Sequence, residues 1–461
     1  MMPVFTKSSL ISASLEDLVR WHFQSSALRR LLPPWSGARV LECPPELVNG
    51  AIVRLEVPVP PFRRKEWVSR IEGVQSGRCF TDVQVSGPMR SWAHEHSMLP
   101  GDDDASSRIQ DALTYEFREP PPLSFVAGRI AEKQLVKMFL WRHRRTRNDV
   151  TLLRDTGWVP RTVLVTGGSG LVGTSLRELL EVAGCTVRRL VRRAADPAQG
   201  EFTWDPAAGE IDLAAFEGVD AVVNLSGAGI ADKRWSDARK QLIERSRVES
   251  TELLARSIAS LPGDKPAFIS ASAVGYYGNR PSDRCTEEAE PGDGFLPRTC
   301  KLWEKACQPA SDAGSRVVNL RIGVVLAWGG GALAKLRVPV SLGLGGPIGT
   351  GRQGMSWIAL DDLVGVILHA IVDDRYQGPI NCVSPNPVSN REFMRVLGSV
   401  VRRPTLLPLP GFMARAAFGE MAQEALIEGV FAEPARLNEL GYRFMFEDLS
   451  ATFAFELGQL S

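Results

Sequence analysis

The sequence predicts an α/β protein with a doubly wound parallel sheet, preceded by a smaller α+β domain with an antiparallel sheet. Three observations support this fold class. Strand-like and helix-like segments alternate from residue 161 to residue 383, which is typical of a parallel sheet covered by helices. A glycine-rich turn joins the first of these strands to its helix. Upstream, residues 1–128 alternate apolar and polar side chains with the period of two that strands show.

The composition is that of a folded protein with several domains. The chain has 461 residues, and at roughly 150 residues per domain this length suggests about three. Hydrophobic residues make up 44% and charged residues 23%, which excludes wholesale disorder. Lys and Arg number 54 and Asp and Glu number 53, a balance that argues against nucleic acid as a partner.

The sequence carries no signal for a membrane or an oxidising compartment. No stretch is long and apolar enough to span a bilayer, and Glu16 and Asp17 argue against a transit peptide. The seven cysteines are scattered and form no CxxC pair, so neither a zinc site nor a disulfide framework is predicted. We therefore expect a soluble protein of the reducing cytoplasm.

The first domain is placed at residues 1–150. A short helix is predicted over residues 15–24 and a long helix over residues 129–147, followed by a polar connection to residue 160. Alternation of apolar and polar residues predicts the strands between them, at residues 51–59, 79–85, 90–99 and 108–117.

This order of elements resembles the helix-grip fold of START-like lipid-binding and polyketide-cyclase proteins. PPW at residues 33–35, GP at residues 87–88 and WxHxH at residues 92–96 are similar to sequences of that family. The resemblance implies a hydrophobic pocket between the sheet and the final helix, with an apolar ligand inside it.

Two histidines on one predicted strand raise the question of a metal. His94 and His96 are two residues apart, so their side chains lie on the same side of the strand. Two imidazoles make half of a metal site, but the spacing nominates no third ligand. We therefore favour a histidine pair that lines the pocket or faces solvent, and predict no metal.

A dinucleotide site is predicted at the start of the second domain, which we place at residues 161–400. From Thr162 the chain reads TVLVTGGSGLVG, an apolar strand that runs into a glycine-rich turn and then a helix. Glycine is needed where the strand turns, where backbone approaches a pyrophosphate and where the helix packs on the sheet, and the helix start binds the phosphates. A later strand, residues 221–225, contributes its end to the same site. The predicted cofactor-binding residues are Gly167, Gly168, Ser169, Gly170, Leu171, Val172, Gly173, Leu225, Ser226 and Gly227.

The strand that follows the turn indicates which dinucleotide is bound. It covers residues 186–191 and ends in Arg192 and Arg193, whereas an NAD-selective site places an acidic residue there for the ribose hydroxyls. No acid lies between Val182 and Ala195. Two guanidinium groups suit a 2′-phosphate, so NADP is predicted, and NAD with two solvated arginines is the alternative.

Residues 161–383 resemble the extended short-chain dehydrogenase/reductases, which include nucleotide-sugar epimerases and dehydratases. The resemblance rests on VTGGSGLVG, VVNLSG, ISASAVGYYG, VVNLRIGVVL and SWIALDDLV, and it implies an NAD(P)-binding Rossmann fold. IADKRW and FLPRTCKLWEKAC point to an atypical epimerase-like subgroup that ends in a small helical domain, here placed at residues 401–461. Members of the superfamily often form dimers, so a homodimer is expected.

The superfamily's catalytic residues are only partly retained. In the family a Ser polarises the substrate, a Tyr transfers the proton, and a Lys four residues later lowers the tyrosine pKa. Ser272 matches the serine. Alignment on Glu304 places Leu296 at the tyrosine position and Cys300 at the lysine position. Lys301 is one residue from the expected lysine position, and one residue turns a side chain by about 100° around the helix, onto another face.

A replacement for the missing tyrosine is available close to Ser272. Five tyrosines occur in the sequence, and only Tyr276 and Tyr277 lie near this serine. Ser272 and Tyr276 are therefore the predicted catalytic residues, with a role of both tyrosines in the pocket wall or in packing as the alternative. Cys300 is interpreted as a buried small residue rather than a reactive thiol.

These features leave three functions open. The favoured one is an NADP-dependent oxidoreductase or epimerase with a non-standard proton donor, acting on a small substrate of hydrophobic character. The missing Tyr–Lys pair favours the alternative, an NADP-binding sensor or scaffold without turnover. In the third, the START-like domain carries an apolar ligand to the Rossmann domain.

Overall fold

The computed structural model describes residues 4–59, 63–75, 77–118 and 123–460, so the predicted domain limits at residues 1 and 461 lie outside the described chain. The chain divides into two compact units. Unit 1 comprises Met1–Trp158, Glu181–Ala183 and Phe455–Ser461, and unit 2 comprises Val159–Leu180 and Gly184–Ala454. The three predicted domain limits stay predictions.

Unit 1 is built on an antiparallel sheet. Its strands are β1 Val4–Ile11, β2 Arg39–Glu42, β3 Ile52–Val59, β4 Arg63–Gln75, β5 Cys79–Ser86, β6 Ser91–Pro100 and β7 Ser107–Glu116. In the described chain they pair in the order β1-β7-β6-β5-β4-β3-β2. Its helices are α1 Leu15–His22, α2 Ala27–Arg30 and α3 Leu123–Asp155.

The core of unit 1 lies between the sheet and α3. Side chains of β7 alternate strictly between buried and partly buried along the strand. Its buried face packs Leu113 and Tyr115 against Leu135 and Phe139 of α3. This is the two-residue period of a strand meeting one face of a helix.

Two predictions for unit 1 were wrong in extent. Helix α3 runs from Leu123 to Asp155 rather than over residues 129–147, so much of the expected polar connection is helical. The polar residue Asp149 is tolerated there because its carboxylate forms a buried ion pair with Arg30. Strands β1, β2 and β4 were also not predicted. In β4 the many charged residues hide the apolar alternation of a strand.

Unit 2 contains the predicted parallel sheet. Its strands are β8 Thr162–Thr166, β9 Thr186–Val191, β10 Glu201–Asp205, β11 Glu210–Ile211, β12 Ala221–Asn224, β13 Ala267–Ala273, β15 Val317–Ile322 and β19 Gly378–Cys382. They lie in the order β11-β10-β9-β8-β12-β13-β15-β19. All neighbours pair in parallel except β10 and β11, which confirms the doubly wound Rossmann-like α/β fold.

Short strand pairs and helices complete unit 2. The pairs are β14 Arg280–Cys285 with β21 Val430–Ala432, β16 Val324–Ala327 with β18 Trp357–Ala359, and β17 Gly354–Met355 with β20 Val388–Ser389. The helices are α4 Leu171–Val182, α5 Asp237–Ser260, α6 Phe295–Lys305, α7 Gln308–Asp312, α8 Gly331–Ser341, α9 Leu360–Val372, α10 Asn390–Val401, α11 Gly411–Phe418, α12 Glu420–Ala422, α13 Ala435–Glu439 and α14 Leu449–Glu456. Over the part of the chain that is described, no helix combines the length and apolar character needed to cross a membrane.

The order of strands places a crevice at one edge of the sheet. From β8 the chain moves outward to β9 and β10, and then returns to β12 on the other side of β8. Ligands of open α/β sheets bind at such a reversal, at the carboxyl ends of the strands. The segment FLPRTCKLWEKAC lies mostly in α6, and a second helix, α7, follows it with Pro309 near its start.

Candidate cofactor and active site

The glycine-rich turn leaves β8 in a conformation that only glycine adopts easily. Gly167 has a φ of 67°, and a Cβ added there would lie 2.6 Å from the carbonyl oxygen of Leu225. A Cβ on Gly173 would collide with the carbonyl oxygen of Gly167. The turn therefore packs against the end of β12 and against the first turn of α4. The free N–H groups of that first helical turn suit a phosphate.

A cleft of 1180 Å³ opens beside this turn. It is lined by Gly167–Gly170, by Arg192 and Arg193, and by Leu225–Gly227, so three separate predicted segments meet there. Leu171, Val172 and Gly173 lie in α4 behind the turn. Lining residues that sequence reasoning missed come from β9, β10 and α5: Arg189, Trp204, Gln241, Arg245 and Ser246.

The arginines at the end of β9 share one buried carboxylate. Glu201, at the start of β10, accepts hydrogen bonds of 2.7 and 2.6 Å from Arg193 and lies 2.8 Å from Arg189. Its bonds with Arg193 and with the backbone of Asp196 lower its pKa to about 2, so it stays ionised. Because these donors occupy both carboxylate oxygens, Glu201 is not available for a ribose. Arg189 and Glu201 were missed because strand pairing, not sequence spacing, brings them together.

A second polar cluster lies at the carboxyl ends of β13 and β15. Ser272 donates a 2.7 Å hydrogen bond to Oε1 of Glu304 on α6. Arg321 on β15 holds both oxygens of that carboxylate, at 2.9 and 3.0 Å. Ser272, Glu304 and Arg321 are each largely shielded from solvent. Sequence reasoning used Glu304 only to align the chain and missed Arg321, although a charge inside the apolar run VVNLRIGVVL was a signal for it.

The two neighbouring tyrosines have different surroundings. The guanidinium carbon of Arg321 lies 3.6 Å from the ring centre of Tyr276, which is partly buried. Tyr277 is fully buried, donates a 2.7 Å hydrogen bond to Asn381 and accepts one of 3.0 Å from Arg321. Burial raises the pKa of Tyr277 to about 12 and also raises the pKa of Tyr276. Tyr277 is therefore assigned a role in packing, and Tyr276 is the candidate proton donor.

The structure places Leu296 and Cys300 beside this cluster. A Cβ on Gly275, in the turn after β13, would lie 3.5 Å from Leu296 Cβ and 4.0 Å from Cys300 Sγ. Burial raises the pKa of the Cys300 thiol to about 12, so it is not a reactive thiolate at neutral pH. Arg247 on α5 lies next to Gly227 and contributes positive charge near this thiol.

Comparison with known proteins identifies the family. Residues 163–382 match the NAD-dependent epimerase/dehydratase family, close to the span of 161–383 over which the sequence resembles it. An epimerase family protein of Mycobacterium bovis is 46% identical over 283 residues, which cover 61% of this chain and 93% of that protein.

The chain belongs to the NAD-dependent epimerase/dehydratase family.

Solved structures of relatives extend this assignment. A nucleoside-diphosphate sugar epimerase from Corynebacterium glutamicum is 33% identical, with a TM-score of 0.80 over 99% of this chain and 90% of that chain. The human epimerase family protein SDR39U1, crystallised with NADPH, is 34% identical, with a TM-score of 0.60 over 65% of this chain and all of that chain. Residues 409–455 match a domain of unknown function, DUF1731, within the predicted small final domain of this epimerase-family protein. The START-like identity of unit 1 stays a prediction.

Proposed function

We propose that this epimerase-family protein binds NADP(H) and reduces a carbonyl group of a small substrate. One observation carries the proposal. Both predicted catalytic residues contact the same buried ion pair, since Ser272 bonds to Glu304 and the ring of Tyr276 lies on Arg321. Strand β13, which contains Ser272, pairs with β12, and Leu225, directly after β12, lines the cofactor cleft.

The residues of the cleft fit a dinucleotide with a 2′-phosphate. Gly167 lets the turn lie against the backbone of Leu225, and Gly173 lets α4 begin against the backbone of the turn, which is the close packing that a pyrophosphate loop needs. Arg189, Arg192 and Arg193 line the cleft where the adenosine ribose is expected, with one carboxylate among them. The NADPH complex of the human relative supports the same choice. When bound, NADPH supplies a hydride for the carbonyl carbon.

At neutral pH Tyr276 is in the protonated state that can donate a proton during reduction of a carbonyl. Burial raises its pKa above the usual value of 10, although Arg321 works against that shift. The phenol therefore keeps its proton at neutral pH and can donate it to a carbonyl oxygen that becomes an alkoxide. Oxidation of an alcohol, with which sugar epimerisation begins, needs a phenolate instead. Cys300 cannot supply the cation that a lysine supplies to stabilise one.

Ser272 is held in place by the same ion pair. Its hydroxyl hydrogen points to Glu304, which as a carboxylate only accepts. To polarise a bound carbonyl, Ser272 would exchange its hydrogen bond to Glu304 for one to the substrate oxygen, while Arg321 continues to neutralise the Glu304 carboxylate. After the reaction, Tyr276 regains its proton from solvent, which its partial exposure permits.

The test follows NADPH absorbance with a panel of aldehydes and ketones. We expect Tyr276→Phe to lower kcat at least about 100-fold, the usual contribution of a general acid, with unchanged NADPH affinity. Tyr277→Phe is the matched control, because the loss of its buried hydrogen bonds should lower stability rather than kcat. Turnover that survives Tyr276→Phe would remove this residue from the mechanism.

A second function is favoured by Leu296 and Cys300, which replace the family's Tyr–Lys pair. Here the protein binds NADP(H) without turnover and acts as a sensor or scaffold. Tight NADPH binding with no oxidation of NADPH on any carbonyl compound would select this function. If unit 1 is START-like, it binds an apolar ligand, which native mass spectrometry of gently purified protein would detect as added mass.

A further inference from the structure

Four of the five histidines of the sequence are buried together in unit 1, around two aspartates. His94 and His96 lie on the sheet, His22 on α1 and His143 on α3, and neither the cofactor nor the proposed reaction uses them. The group consists of Asp82, His94, His96, Asp111, His22 and His143.

Strand pairing brings this group together. His94 and His96 share one face of β6 because they are two residues apart. Asp82 on β5 pairs with His94, and Asp111 on β7 pairs with His96. Sequence spacing nominates no third ligand for the two histidines because the third group lies on the neighbouring strand.

Three ligand atoms converge on one point. Oδ2 of Asp82 lies 3.1 Å from Nδ1 of His94 and 3.3 Å from Nε2 of His96, and the ligand atoms all lie within 4.8 Å of one another. Ligand atoms about 2.0–2.1 Å from a zinc ion stand about 3.3 Å apart in a tetrahedron. The two short separations therefore match two edges of such a site.

Asp111 fixes which ring nitrogens carry hydrogen. Its Oδ1 lies 2.7 Å from Nε2 of His94 and 3.0 Å from Nδ1 of His96, and it only accepts hydrogen bonds. Hydrogen on these two nitrogens leaves the lone pairs of His94 Nδ1 and His96 Nε2 directed at Asp82. Histidines that bind metals are usually oriented in this way, by a carboxylate at the other ring nitrogen. Oδ2 of Asp111 accepts a further 2.6 Å bond from His143.

A bound cation would satisfy the converging lone pairs. A carboxylate oxygen and two imidazole lone pairs repel one another at these separations, and Asp82 and Asp111 are both acidic. A proton on His94 would bridge to Asp82 but would leave the lone pair of His96 facing the same oxygen. One metal ion satisfies all three ligands at once.

We propose that Asp82, His94 and His96 bind a divalent transition-metal ion. Two imidazoles and one carboxylate suit Zn²⁺ or Fe²⁺, whereas Mg²⁺ and Ca²⁺ prefer oxygen ligands alone. The side chains of His94 and His96 are 3% and 5% exposed, and that of Asp82 is 23% exposed. The site therefore has an open side at Asp82, where water or an oxygen of a ligand completes the coordination. Three protein ligands with an open position are typical of catalytic rather than structural metal sites.

Aromatic neighbours fix the orientation of the imidazole rings of His94 and His96. Phe80 stacks on His96 with ring centres 4.4 Å apart, and Phe139 meets His94 edge-on at 5.2 Å. Rotation of either imidazole away from Asp82 would break these contacts and the hydrogen bonds to Asp111.

The test titrates the full-length, tag-free protein with Zn²⁺ in competition with a chromophoric chelator. We expect one equivalent per chain, and a Kd raised at least about 100-fold by His94→Ala or His96→Ala. Asp111→Asn should raise the Kd by about 10–100-fold, the usual effect of a group that orients a ligand. His369→Gln, which alters the one histidine outside unit 1, is the matched control and should leave the Kd unchanged.

Two outcomes would overturn the proposal: no Zn²⁺ or Fe²⁺ binding by the wild-type protein, or wild-type affinity in the double variant His94→Ala/His96→Ala. Because the variants can lose their fold, the visible spectrum of the wild-type protein with Co²⁺ provides a test without mutation. A four- or five-coordinate spectrum supports the site, and the spectrum of hydrated Co²⁺ rejects it. Tighter binding of Fe²⁺ than of Zn²⁺ supports the same three ligands.

Discussion

At the scale of single residues, one guanidinium organises the candidate active site. Arg321 bonds to both oxygens of Glu304, to the hydroxyl of Tyr277 and to the carbonyl oxygen of Glu287, while its face covers the ring of Tyr276. A buried charge is tolerated only when it is paired and its hydrogen-bonding groups are satisfied. Arg321 therefore interacts differently with the two tyrosines. It hydrogen-bonds to the buried phenol of Tyr277 and stacks on the ring of the partly accessible Tyr276.

The raised pKa of Tyr276 predicts an unusual pH profile. A phenol donates its proton only below its pKa, and burial moves that pKa above 10. The rate of NADPH-dependent reduction should therefore be constant around neutral pH and fall only as the pH rises through this raised pKa, with a midpoint above pH 10. Initial rates measured across this range check the prediction. A decline with a midpoint between pH 7 and pH 9 would show that another group donates the proton.

The arginines at the end of β9 predict selectivity for NADPH. Arg192→Ala with Arg193→Ala should raise the Kd for NADPH by about 10- to 100-fold, since a hydrogen bond to a charged group contributes about 1.5–3 kcal/mol. The Kd for NADH, which has no 2′-phosphate, should change little. Isothermal titration with both dinucleotides measures the ratio. Arg256→Ala, which removes an exposed helix-surface arginine, is the control, and an equal loss for both dinucleotides would contradict the assignment.

Residues that act alone or within one motif were predictable, and residues that act across strands were not. Ser272 and the glycines of the turn belong to local patterns with a known physical reason. Arg321 and Asp82 gain their importance from neighbours on other strands. Strand order and register decide such contacts, and the sequence specifies them only through the whole fold.

At the scale of elements, the glycine turn shows why its spacing is required. The helix α4 starts so close to β8 that the residue at position 173 has no space for a side chain. Gly173→Ala should therefore displace the turn and raise the Kd for NADPH at least about tenfold. Gly329→Ala is the matched control, since a Cβ there meets no atom within 4 Å. Equal NADPH affinity in both variants would show that the turn does not hold the dinucleotide.

Helix and strand types were predicted better than their ends. Periodicity located β5, β6 and β7 within one or two residues. The reason is clearest for β7, whose side chains alternate between buried and partly buried and whose Leu113 and Tyr115 pack against α3. The ends of α3 were misjudged because Asp149 reads as a helix-ending polar residue, yet finds Arg30 as a buried partner.

At the scale of the whole molecule, the two compact units hold separate candidate ligand sites. Unit 2 holds the dinucleotide cleft, and unit 1 holds the proposed metal site. Unit 1 is discontinuous in sequence, because Phe455–Ser461 belong to it. Within this unit, Phe455 stacks on Trp141 with ring centres 5.4 Å apart, and Arg145 lies over both rings.

The contribution of this late segment is testable. Phe455→Ala should lower the free energy of unfolding of unit 1 by about 3–5 kcal/mol, the usual cost of removing a buried aromatic ring. Hydrogen exchange should then quicken in α3 and in the sheet of unit 1, with NADPH affinity unchanged. Phe412→Ala, which removes a ring that is 69% exposed in unit 2, should change stability by no more than about 0.5 kcal/mol. Unchanged exchange in unit 1 of the Phe455 variant would contradict this role.

The same segment sets an order for folding during translation. A ribosome makes Met1–Trp158 first and Phe455–Ser461 only after all of unit 2 has been made. Until Phe455 has been made, the ring of Trp141 lacks its stacking partner, so this part of the core of unit 1 cannot form. Unit 1 therefore depends, for one contact of its core, on residues that follow those of unit 2 in the chain.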